Sequence, residues 1–182
     1  TPTPEPGTPT ATLTPTPTTA PSATPTTPPV SLNEALPAPY AIDWDGNGVP
    51  DQDDEYIELY NAGTVAVDLG GWQLDDRADG GTSPYTIPAG RLISPGGFAL
   101  FFRSETHVGL NNTGSDDVRL LAPSGLVVET FTYNNPLVDW SYSKETEGGA
   151  TWTDAYPPSP GQPNLPATPT ATVTASPTPS GT

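Results

Sequence analysis

In EYIELYN, residues 55–61, the aliphatic Ile57 and Leu59 alternate with Tyr56, Glu58 and Tyr60, and in VAVDLGGWQL the residues Val65, Val67 and Leu69 recur at the same spacing of two. A period of two sends alternate side chains to opposite faces of an extended strand, whereas a helix needs 3.6. No helical period of useful length competes with it anywhere in the 182 residues. The remaining apolar runs are also short: VSLNE near Val30, then YTI, RLI, FALFF, DVRLLA and LVVETFTY. They are separated by Pro88-Ala89-Gly90, Ser94-Pro95-Gly96-Gly97 and Pro123-Ser124-Gly125. In the last of these, proline presets φ and glycine supplies φ > 0, so the two longest runs should form a hairpin. The face LVVETFTY buries stays open, because Val127 falls with Phe131 and Tyr133 while Val128 falls with Thr130 and Thr132. Short strands at this spacing predict an all-β, immunoglobulin-like antiparallel β-sandwich or a barrel.

Proline sets the limits of the part that can fold. Residues 1–29 and 165–182 consist almost wholly of Thr, Pro, Ala and Ser, and ordering them would cost backbone entropy with no core to offset it. They are expected to be extended linkers around one β domain spanning residues 30–164, long enough for one core and too short for two. Thr/Pro tracts on both sides, no cysteine, and no Lys or Arg before Arg77 suggest a monomeric module of a larger secreted or cell-surface protein, with any signal peptide upstream. No apolar run approaches a membrane span.

The series VSLNEALP, DEYIELYN, VDLGGWQLDD, YTIPAGRLISPGGFALFF, GLNNTGSDDVRLLAPSGLVVETFTY and YPPSPGQPN resembles the lamin tail domain family in its bacterial extracellular form. Each piece is weak alone and strong in this order. The resemblance implies an immunoglobulin-like sandwich that is usually a non-catalytic module appended to surface proteins or to secreted enzymes. It does not imply a nuclear filament, since no heptad rod is present.

The stretch DWDGNGVPDQDDE, residues 43–55, carries the most specific site chemistry. Counting Asp43 as position 1, Asp45 is 3, Asn47 is 5, Gly48 is 6, Val49 is 7 (through its carbonyl), Asp51 is 9 and Asp54 is 12, the ligand spacing of a calcium loop. Oxygens at alternate positions can wrap one hard cation, and Gly48 permits the turn. Pro50 and the strand that follows depart from the helix-loop-helix form, and Asp54 is shorter than the usual glutamate, so Glu55 competes for position 12. Ca²⁺ is the expected cofactor, and a solvated acidic turn is the alternative.

Other chemistry is poorly supplied. His107 is the only histidine, which leaves neither a zinc set nor a catalytic triad. The chain is therefore read as not an enzyme. Trp72 sits inside a patterned strand and is expected in the core, whereas Trp140 and Trp152 lie in loop-rich sequence and could contact a carbohydrate or a partner. A net charge of −16 with five basic residues repels phosphate backbones and anionic lipid, which argues against direct nucleic-acid binding. The leading expectation is an extracellular interaction or spacer module with an unknown protein or glycan partner. A carbohydrate-binding module is the second.

Overall fold

The computed structural model describes residues 1–2 and 29–166, so the expected linkers, residues 1–29 and 165–182, lie almost entirely outside the described residues. In chain order the strands are β1 (Val30–Leu36), β2 (Tyr56–Asn61), β3 (Val67–Asp68), β4 (Gln73–Asp75), β5 (Tyr85–Thr86), β6 (Leu92–Ile93) and β7 (Phe98–Phe102). After the short helix α1 (Arg103–Thr106) come β8 (Ser115–Leu121), β9 (Val127–Asn134), β10 (Tyr142–Lys144) and β11 (Trp152–Thr153). Every named strand pairing is antiparallel. A five-stranded sheet in the order β11-β10-β1-β2-β7 faces a four-stranded sheet in the order β5-β4-β8-β9, with β3 and β6 paired separately. This is the expected immunoglobulin-like all-β fold.

One apolar cluster fills the space between the sheets. Leu32, Ile57, Leu59, Ala99 and Phe101 enter it from the first sheet, and Leu74, Val118, Leu120 and Tyr133 from the second. Each fully buried leucine contributes about 2 kcal/mol by leaving water. Trp72 belongs to the same cluster. The period of two in β2 is real, but its second face does not reach solvent, since Tyr56 and Glu58 are as buried as Ile57 and Leu59. The returning segment 157–164 covers that face: the Ser159 amide donates to Glu34 (2.9 Å) and the Gly161 amide donates to Glu58.

Two β-bulges explain what the pattern alone left open. In β9, Leu120 pairs with Glu129 but Leu121 pairs with Val127, so Val128 is the extra residue. Phe131 and Tyr133 keep the inward phase on one side of the bulge, and Val128 takes it on the other. Both sets expected from LVVETFTY are therefore partly right. In β1 the slip falls between Leu32 and Glu34, and Leu32, Asn33 and Glu34 are all buried in succession. The β8–β9 hairpin closes as expected, with the Gly125 amide donating to Ala122 O (2.8 Å) and Gly125 at φ +82°.

The differences are equally local. VAVDL contracts to the two residues of β3, and Val65 is 67% exposed. The stretch around Trp152, expected to be loop, supplies β10 and β11, which extend the five-stranded sheet beyond β1.

Candidate functional site

The loop between β1 and β2 folds on its own carboxylates. Asp43 Oδ1 accepts the Gly46 (2.9 Å) and Asn47 (3.1 Å) amides, and Oδ2 accepts that of Gly48 (2.8 Å). Asp45 accepts the Asn47 amide (2.9 Å), and Asn47 Oδ1 accepts that of Val49 (2.8 Å). Gly46 and Gly48 stand at φ +76° and +94°, where a side chain would be strained. Asp54, wholly buried, accepts the Trp44 (2.6 Å) and Asp45 (2.8 Å) amides on Oδ1 and the Asp51 amide (2.8 Å) on Oδ2. Asp51 caps the 3₁₀ turn Gln52–Asp54 by accepting the Asp53 amide (2.8 Å).

Three of the spaced positions converge. Asp43, Asp45 and Asp54 each offer an oxygen, and the three oxygens lie within 4.8 Å of one another. Three carboxylates at that spacing form a hard, anionic donor set that suits a divalent cation such as Ca²⁺ better than a thiophilic metal. Asp51 lies in the same loop but outside this group of carboxylates, and Asn47 and Val49 are held in the loop by its turn hydrogen bonds.

Glu55 is not part of this group. It is buried, accepting from Arg103 Nη1 (2.9 Å) and from the Leu110 amide (2.7 Å). Burial pushes its carboxyl above the ordinary range, against the pull of those two donors. Glu55 thus ties the loop to α1 and the segment behind it. Asp53 adds a longer contact to Arg103 (3.7 Å).

The tryptophans part company. Trp140 Nε1 donates to the Asp154 carbonyl, a contact that fastens two loops. Trp152 stacks on Phe131 at 3.9 Å between centroids, with the Lys144 ammonium 4.7 Å from its ring centre. Tyr142 packs 5.4 Å from Phe131 and 5.5 Å from Tyr133. These four rings, with Thr132, Asn134, Thr153 and Asp154, line an open cleft of about 330 Å³. Phe131 and Tyr133 were read from the sequence only as one face of a strand, because the cleft exists only where the edge strand β9 meets β10 and β11. His107 is an exposed residue closing α1 at φ +56°.

These sites divide between the ends and edges of the sandwich. Val30 pairs with Asn61 and Leu36 with Tyr56, so the chain enters at one end of β1 and the acidic loop leaves from the other. Gln52, Asp76, Arg103 and Asn111 border one shallow cavity, which places the loops after β4 and β7 beside the acidic loop. No curated protein matches the chain. A family model described as Lamin Tail Domain matches residues 23–135, well over half of the 182. With the sandwich, the strand order and that match in hand, the chain belongs to the lamin tail domain family.

Proposed function

We propose that the chain is a non-catalytic extracellular interaction module whose acidic loop holds one Ca²⁺ ion. The observation that carries this is placement. The 43–54 loop and its neighbours stand at the end of the sandwich opposite the point where the chain enters at Val30. Loops on a rigid scaffold, turned away from the attachment point, are where recognition concentrates. Ca²⁺ would sit on Asp43, Asp45 and Asp54, relieving their mutual repulsion and fixing the loop for a protein partner. The family is one of non-catalytic modules, and the solitary, exposed His107 supports the same reading.

Calorimetry on the purified chain tests the loop. One saturable Ca²⁺ site is expected, with a Kd on the order of 10⁻⁴ to 10⁻³ M as in other extracellular modules. The thermal midpoint should rise with added Ca²⁺, because only the folded loop presents its ligands together. No saturable heat at millimolar Ca²⁺, with identical melting in chelator, makes the loop a solvated turn.

The cleft of Phe131, Tyr133, Tyr142 and Trp152 favours a second reading, a carbohydrate-binding module, since aromatic rings edged by Asn134 and Asp154 match a sugar ring edged by hydroxyls. Glycan-array binding that is lost in Trp152→Ala and kept in Trp140→Ala would establish it.

A further inference from the structure

Glu34 and Glu58 are direct cross-strand partners in β1 and β2, on the face of the sheet turned away from the core, and both are wholly buried. Like charges opposed in this way are destabilising even on an exposed sheet. Glu34 accepts the Ser159 amide on both oxygens (2.9 and 3.2 Å) and the Ser159 hydroxyl (3.1 Å). Glu58 accepts Asn33 Nδ2 (2.9 Å) and the Gly161 amide. The side chain of Asn164 completes the closure, donating to Asn33 O (3.3 Å) and Lys144 O (3.0 Å). The two carboxyl groups are thus the chief anchor of segment 157–164, the last stretch before the second Thr/Pro tract.

Among the described residues, no basic side chain pairs with them. Facing the pair are Tyr56 from β2, Ser141 and Ser143 from the stretch around β10, and Glu147 from the β10–β11 loop, which itself accepts the Asn164 amide (2.8 Å). Lys144 directs its ammonium to Glu129 instead.

We propose that the buried Glu34–Glu58 pair is a latch on segment 157–164 in which Glu58 keeps its proton while the segment is closed, so that the segment loosens as that proton is released in a less acidic medium. Burial, with Glu34 beside it, pushes the Glu58 carboxyl up to about 7 against the pull of Asn33 and the Gly161 amide, whereas a solvated glutamate ionises near 4.3. Between those values the closed form holds a proton that the open form lacks. Opening is therefore favoured as pH rises from about 4.3 to about 7 and levels off above it. Below that window both forms are protonated and the dependence vanishes.

Two measurements on the full chain decide the matter. Carboxyl-carbon NMR titration should show the Glu58 carboxyl losing its proton near neutrality; a Glu58 fully ionised by pH 5 overturns the latch. Amide exchange at Ser159 and Gly161, corrected for intrinsic chemistry, should report opening that rises by up to about 100-fold from pH 5 to 7, tenfold per unit. Glu58→Gln, which keeps an acceptor for Gly161 and places a donor towards Glu34, should remove that slope. Glu145→Gln, an exposed glutamate outside the latch, should leave it. Flat exchange in the unmodified chain, or an equal slope in Glu58→Gln, overturns the proposal. Should Glu58→Gln fail to fold, the titration and exchange of the unmodified chain still decide it.

Discussion

Asp45 and Asp54 stand nine residues apart in one loop and should answer to substitution in opposite ways. Asp54 is buried and accepts three backbone amides, so Asp54→Ala leaves those donors unpaired and should cost roughly 2–4 kcal/mol with or without calcium. Asp45 reaches solvent and accepts the backbone and side-chain amides of Asn47. Asp45→Ala should leave chelator-treated stability nearly unchanged and abolish most of the calcium-dependent rise in Tm. Melting each variant in chelator and in millimolar Ca²⁺ separates the roles, and a calcium response retained by Asp45→Ala would contradict the assignment. The convergence of Asp43, Asp45 and Asp54 was legible because all three lie within one short loop. Glu55 could not be read the same way: its partners, Arg103 and the Leu110 amide, are 48 and 55 residues away, and only the fold brings them to it.

At the scale of the strand, legibility ended where two elements had to meet. The hairpin at Pro123-Ser124-Gly125 was readable because its turn chemistry is contained in three residues. The inward face of β9 was not, because the bulge at Val128 changes phase within one strand, and sequence period assumes a constant phase. β10 and β11 were invisible for a related reason. They are three and two residues long, too short to show a period, and they exist because β1 offers them an edge. Glu129 and Lys144 fasten that edge, with Glu129 also accepting the Leu32 amide (3.0 Å) at the bulge of β1. Breaking a buried pair strands the remaining charge, so Lys144→Ala should destabilise by about 3 kcal/mol. Lys144→Met also strands Glu129 but keeps the bulk over Trp152, and should cost less. Urea denaturation of both variants checks the order; equal stability of Lys144→Ala and the parent would mean that the pair contributes nothing.

The strand order β11-β10-β1-β2-β7 puts the first strand in the middle of its sheet, a fact about the whole molecule that no window of sequence contains. One consequence is where the chain comes and goes. Asn164 is bonded to Asn33, and Val30 lies three residues before it, about 10 Å along a strand. A body of this size is roughly 35 Å across, so Val30 and Asn164 lie well within its width of one another. Because the chain has no cysteine, Pro29→Cys and Leu165→Cys give a unique label pair. A measured separation well under half the body's width is expected, and one near its full width would contradict that placement of the two ends. The same topology bears on where the folding unit ends. The family match stops at residue 135, yet β10 pairs with β1, Lys144 reaches Glu129, and segment 157–164 covers Glu34, Glu58 and Tyr56. Removing everything after residue 135 would bare one edge of β1 and leave two buried carboxyl groups without their amide donors, a loss of several kcal/mol against a total stability of only about 5–15. A chain ending at residue 135 should therefore lack a cooperative thermal transition, whereas one ending at residue 166 should melt as the full chain does. If the shorter chain melts cooperatively at the same temperature, β10, β11 and the returning segment are appendages to the sandwich and not part of it.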